Sequence, residues 1–151
     1  VTSSANLDDT SKGIIALLQK DGRMSYATIA KEVGLSEAAV RHRAQRLIEQ
    51  GVMQIVAVTD PLQLGFSWEA MIGVRVSGNI KKIANALAAI DAIDFIVLTS
   101  GKFDIILEVV AENDNQLIDL TNTIRGIPGV VGSETLVYLS TRKQAYAWGV
   151  R

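Results

Sequence analysis

The chain has 151 residues, 48% hydrophobic and 21% charged, with a formal net charge of −1. That suffices for one domain or two small ones of ordinary globular material. It has no cysteine, which excludes disulfides, thiolate metal sites and cysteine nucleophiles. No apolar run is long enough to span a bilayer, and the polar start Val1-Thr2-Ser3-Ser4-Ala5-Asn6 lacks the apolar centre of a secretion signal. A cytoplasmic protein is expected, with no membrane partner.

Residues 1–6 are expected to be disordered. Leu7-Asp8-Asp9-Thr10 opens a first helix, its acids favouring the positive N-terminal end. Ile14, Leu17 and Leu18 make its apolar stripe. Gly13 lies inside it and costs about 1 kcal/mol against alanine, so the helix is expected to start late or bend. Asp21-Gly22-Arg23 is a break. Ser25 then caps a short helix with Ile29, Ala30 and Val33 on one face. Gly34 stops it, Leu35 plugs the angle, Ser36 caps the next helix and Gly51 ends that one. Short helix, tight turn and second helix with a basic outer face form the helix-turn-helix pattern.

At 100° per residue, Val40, Ala44, Leu47 and Ile48 form the buried face of the second helix. Ala38, His42, Gln45 and Glu49 point the opposite way, Arg41 lies on one flank, and Arg43 and Arg46 lie towards the other. Arg41, His42 and Gln45 can hydrogen-bond base edges, whereas Arg43 and Arg46 suit phosphates. Ala38 is small enough for close approach to a groove floor. With Ser25, Ser36 and Glu37 at the helix starts, these residues are the expected contacts to double-stranded DNA. The bland alternative is a solvated helix face with ordinary arginines. The adjoining helix, glycine turn and serine cap at helix-turn-helix spacing weigh against it. Residues 1–64 carry seven Lys/Arg and seven Asp/Glu, and residues 65–151 eight and nine. Neither half is basic. Phosphate neutralisation supplies most non-specific affinity, so two or more copies are expected on one duplex.

Val52–Thr59 is rich in β-branched residues and predicts a small β-wing. A first domain over 1–59, a linker over 60–67 around Asp60-Pro61 and Gly65, and a second domain over 68–151 follow. In the second, Trp68–Ser77 predicts a strand, and Asn79 caps a helix with Ile80, Ile83, Ala84, Leu87 and Ile90 inward. Asp94–Ser100 and Asp104–Ala111 predict two strands joined at Gly101-Lys102-Phe103. Asn113 or Asp114 caps a helix with Leu117, Leu120, Thr121 and Ile124 inward, and Val130–Thr141 predicts a fourth strand. The order βαββαβ predicts a ferredoxin-like α/β plait with both helices on one sheet face. The fold class is therefore α+β, a winged helix-turn-helix followed by that plait. Strand alternation puts Met71, Gly73 and Arg75 on one side and Ile72, Val74 and Val76 on the other. Apolar residues on both faces, with helices on one, predict a homodimer through the open face.

The hairpin around Gly101 offers backbone N–H groups suited to a carboxylate. Ser100 adds a hydroxyl, Asp104 an ammonium partner, and Ser133 and Thr135 further polar contacts from a neighbouring subunit. Equally, Gly101 could merely make a turn and Asp104 merely start a strand. Catalysis is not expected. His42 is the only histidine, and there is no metal-ligand cluster, phosphate-cradling loop or nucleophile beside a base. No cofactor or metal is expected.

Nearly the whole chain resembles the leucine-responsive regulatory protein/asparagine-synthase regulator (Lrp/AsnC, feast/famine) family. The resemblance is carried by Leu7-Asp8, Ile29-Ala30, Gly34-Leu35-Ser36, Val40, Arg43, Arg46-Leu47, Gly51-Val52, Asp60-Pro61, Leu64-Gly65, Ser100-Gly101-Lys102-Phe103-Asp104, Gly129-Val130, and Ser133 with Thr135. It implies a transcriptional regulator whose plaits dimerise, the dimers joining into tetramers or octamers. It implies an amino-acid effector bound between dimers, near the hairpin after the second strand and the start of the fourth. The site set is then Ser100, Gly101, Lys102, Phe103, Asp104, Ser133 and Thr135. Two residues depart from the family pattern. Ser11 replaces an aspartate, and Ala44 replaces a larger aliphatic. The alternatives are an architectural DNA-binding protein without effector response and a plait that regulates a partner enzyme.

Overall fold

The computed structural model describes residues 7–146 and 149–150; the expectation for residues 1–6 lies outside them. The chain divides into two units. One comprises the chain up to Val58 together with the segment from Lys143 onward, and the other is Thr59–Arg142. Among the described residues, 143–146 group with the first unit. Gln144, Ala145 and Tyr146 line a groove with Ile15, Leu18 and the 52–58 stretch.

The first unit holds α1 (Asp9–Lys20), α2 (Tyr26–Val33) and α3 (Glu37–Glu49). Each is started by a short polar side chain accepting a free backbone N–H of the first turn. Asp8 accepts from Ser11, Ser25 from Thr28, and Ser36 from Ala39. Gly34 adopts φ 69°, a left-handed conformation that ends α2. α1 does not start late: it begins at Asp9 and runs through Gly13 to Lys20. A Cβ on Gly13 would stand 3.4 Å from Val33 Cγ1, so the bare glycine brings α1 and α2 into contact. Ile14, Leu18, Ile29, Ala30, Val40 and Ala44 form the core. Of the four residues expected inward on α3, Val40, Ala44 and Leu47 are buried, and Ile48 is 39% exposed.

No β-wing forms. Among the described residues, 53–60 contain no strand. A strand needs a neighbour for its N–H and C=O groups, and the chain supplies none here. Ile55, Val56 and Val58 are left exposed.

The second unit opens with a 3₁₀ turn, Pro61–Leu64, capped by Asp60. Then come β1 (Trp68–Val76), α4 (Ile80–Leu87), β2 (Ile93–Leu98), β3 (Ile105–Ala111), α5 (Asp114–Gly126) and β4 (Val130–Val137). The strands are antiparallel in the order β2-β3-β1-β4. This is the expected βαββαβ plait, with β4 ending four residues before Thr141. Ile72 pairs with Leu107 on one side and Thr135 on the other, and Val74 with Ile105 and Ser133. These residues share the face covered by the helices. Ile83 and Leu87 of α4 and Leu120 and Ile124 of α5 complete that core. The opposite face carries Met71, Gly73, Ile106 and Val110. Phe95, Val97 and Leu136 stand exposed beside them. An apolar face of this extent on one side of a sheet is unusual for a monomer.

Candidate nucleic-acid interface and effector site

The outer face of α3 exposes Glu37, Ala38, Arg41, His42, Gln45 and Arg46, while Val40, Ala44 and Leu47 hold the helix to its neighbours. Arg41 Nη2 lies 2.7 Å from Glu37 Oε1, and its guanidinium is 5.2 Å from the Tyr26 ring centroid. Gln45 Nε2 donates to Glu49 Oε1 at 3.0 Å. Exposed ties of this kind contribute little, so both side chains exchange readily to an outside acceptor. Ser25 and Ser36 act as caps, which places the free N–H groups of α2 and α3 beside them.

In the protomer Arg43, expected to address phosphate, is tied to α1. Its Nη1 reaches α1, 2.6 Å from Asp8 Oδ2 and 3.3 Å from Ser11 Oγ. Asp8 Oδ1 accepts the Ser11 N–H at 2.8 Å. One carboxylate therefore caps α1 and anchors α3, and Ser11 serves where the family pattern has an acid. Arg46 forms no ion pair among the described residues and, with His42, lines a cleft of about 340 Å³ beside this clamp. Hydrogen bonding from Ser11 and from Arg43 holds the Asp8 carboxyl well below the usual carboxylate range. A depressed pKa stabilises the fold above the unfolded value and loses that contribution as pH falls towards the folded one. We expect Asp8→Asn, which keeps a capping oxygen without the charge, to lower the melting temperature at neutral pH. The gap should close below about pH 4. Circular dichroism melts across pH check this; a gap that stays constant contradicts it.

In the plait, Thr99 N–H donates to Asp104 O at 2.9 Å and Thr99 Oγ1 to Phe103 O at 2.6 Å, closing the hairpin. Asp104 N–H donates to Val74 O, and Asp104 Oδ2 accepts the Val76 N–H at 2.8 Å. Asp104 thus extends the β1–β3 pairing, and one carboxylate oxygen is committed to it. Gly101 is not in a left-handed conformation, and no atom lies within 4 Å of where its Cβ would be. The space beside Gly101 is therefore open. Lys102 Nζ lies 2.6 Å from Glu134 Oε2 and 4.9 Å from the Phe103 ring centroid. The Phe103 ring lies over Gly73. The hairpin is therefore folded over the open sheet face.

Ser133 and Thr135 are on the other face. The protomer does not bring them to Lys102 and Phe103, and Ser133 Oγ accepts from Arg125 Nε at 2.9 Å. The strand alternation that aligns Ser133 and Thr135 is legible in sequence, but its direction depends on register with β1. Sequence reasoning did not single out Arg75 or Arg125, which line a second cleft of about 340 Å³ with Val130–Ser133. A lone arginine between Val74 and Val76 was the available signal. Nor did it single out Tyr138, whose hydroxyl donates to Glu108 Oε1 at 2.8 Å. Burial and that bond push the Tyr138 phenol above its ordinary range, and burial with the charges of Glu108 and Asp60 raises Glu69.

A capped helix-turn-helix and an α/β plait in one chain define a two-domain, DNA-binding transcriptional regulator. Residues 7–48 match the family model of the AsnC-type helix-turn-helix domain, and residues 69–148 that of the Lrp/AsnC ligand binding domain. The chain belongs to the Lrp/AsnC family of transcriptional regulators. It is 35% identical over 140 residues to the HTH-type transcriptional regulator FL11 of Pyrococcus horikoshii, covering 91% of this chain and 93% of that one. The leucine response regulatory protein LrpA of Mycobacterium tuberculosis superposes with a TM-score of 0.84 at 25% identity, covering 91% and 96%. An L-methionine complex of a Neisseria meningitidis transcriptional regulator shares the fold at 21% identity and a TM-score of 0.79, covering 92% and 94%. These relatives are regulators, not enzymes. Among the described residues no helix is long and apolar enough to cross a membrane.

Proposed function

We propose that this protein is a cytoplasmic, sequence-specific regulator that reads double-stranded DNA as a dimer or larger assembly and responds to an amino acid or related metabolite. The observation that carries the reading is the outer face of α3, where Arg41, His42, Gln45 and Arg46 stand exposed on a helix packed from behind. Arg41, His42 and Gln45 address base edges; Arg46 addresses phosphate, and Arg43 holds α3 in position. The open sheet face joins two plaits, which fixes the separation of two recognition helices for half-sites one helical turn or a multiple apart. Dimers then assemble into tetramers or octamers.

The effector sits between dimers against the 100–104 hairpin. The open space at Gly101 and the uncommitted oxygen of Asp104 support this, with Ser133 and Thr135 contributed by a neighbouring subunit. A ligand shifts the assembly only by its differential affinity for two arrangements.

Fluorescence anisotropy on a selected duplex tests the assignment. Arg41→Ala and Gln45→Ala should each cost about 1–3 kcal/mol at the cognate site and relax base preference. Arg46→Ala should weaken all sequences alike. Unchanged preference in the first two contradicts the readout. Binding indifferent to sequence and to all twenty amino acids would make the protein architectural instead.

A further inference from the structure

Arg75 and Arg125 converge on the cleft at the start of β4 from opposite sides of the sheet. Arg75 lies on the open face, opposite Gly132. A Cβ on Gly132 would stand 2.7 Å from Arg75 Nη2, so the bare glycine makes room for that guanidinium over the edge strand. Arg125, in the last turn of α5, is held by Nε donation to Ser133 Oγ at 2.9 Å. That bond fixes the plane of the group, and its two terminal nitrogens make no hydrogen bond among the described residues. Neither arginine forms an ion pair among them either. Of the nearby acids, Glu134 is tied to Lys102 at 2.6 Å, and Asp104 gives one oxygen to the Val76 N–H and keeps the other for the effector's ammonium in the reading above.

Two guanidiniums in one cleft without a counter-charge repel each other, and a bidentate anion relieves this while matching their fork geometry. The cleft lies at the same end of the sheet as the 100–104 hairpin, since Val76 is bonded to Asp104 and paired with Val130.

We propose that the arginine pair binds the second acidic group of a dianionic carboxylate, so that the effector is an acidic amino acid or a dicarboxylate 2-oxo acid. The inference rests on the effector reading above, in which the hairpin takes the first carboxylate. Isothermal titration of the full chain with L-glutamate, L-glutamine, L-aspartate, L-asparagine and 2-oxoglutarate tests it. Each acid should bind roughly 10- to 100-fold more tightly than its neutral amide, the range of a charge-assisted hydrogen bond. Arg125→Gln should erase that preference. So should Gly132→Ala, which moves only the flexible end of Arg75 and leaves the melting temperature unchanged.

2-Oxoglutarate separates the two acid sources: binding equal to glutamate assigns the ammonium no role. Equal binding of glutamate and glutamine, or a preference that survives Arg125→Gln, overturns the arginine site and leaves the amino-acid reading standing. Binding of none of the five overturns the arginine site, while a response to another amino acid in the screen of twenty keeps the hairpin reading.

Discussion

Ile106→Asp should convert the protein to a monomer and weaken its hold on a duplex with two half-sites by roughly 100-fold or more, the scale of lost bivalency. Ile106 is at the centre of the open sheet face, paired with Gly73 of β1 and Val97 of β2. Its neighbours in sequence, Ile105 and Leu107, point into the helix-covered core and are fully buried. The substitution therefore leaves the protomer's own core intact. In a dimer through this face the new carboxylate would be desolvated without a partner, at a cost of several kcal/mol. Sedimentation checks the assembly, circular dichroism the fold, and anisotropy the DNA affinity. A folded variant that remains dimeric and binds normally would place the interface elsewhere.

Gly73→Ala should destabilise the plait by about 1–3 kcal/mol, the usual range for overpacking, and the effect should almost vanish when Phe103 is also replaced by alanine. Gly73 is buried in the central strand β1, and a Cβ there would stand 2.5 Å from Phe103 Cγ and Cδ2. A ring edge at that distance must move. Its movement drags Lys102 away from Glu134 and unseats the hairpin on which the effector reading depends. Phe103→Ala removes the three atoms nearest to the new methyl, all of which belong to that ring. The two substitutions are in contact and should be strongly non-additive. Denaturant titration of the four proteins gives the coupling. Additive costs would mean that the ring does not sit over Gly73 in solution.

The helix-turn-helix was legible because each signal in it is local. A cap acts three residues ahead, a left-handed glycine ends a helix where it stands, and the stripe of Val40, Ala44 and Leu47 recurs within one element. The plait was legible for a similar reason, since alternating apolar strands separated by capped helices leave few topologies. What was not legible depended on partners distant in sequence. The 52–59 stretch has strand composition but no neighbouring strand in the chain. Arg43 looks like a phosphate ligand until α1 brings Asp8 to it across 35 positions. Which sheet face carries Ser133 and Thr135 depends on the register with β1, which pairs them with Val74 and Ile72. The Arg75 and Arg125 cleft belongs to this group too, because strand pairing and a helix end assemble it from residues that carry no motif.

The claim beneath all of this is that paired recognition helices, held at a fixed spacing, read DNA. Insertion of five base pairs between the half-sites of a duplex selected from random sequence tests it most directly, with protomers per duplex counted by sedimentation. At least two protomers are predicted on the original duplex and, because half a turn puts the second groove on the opposite side, loss of most of the affinity on the lengthened one. Full affinity after the insertion, or one protomer sufficing on the original, would contradict it.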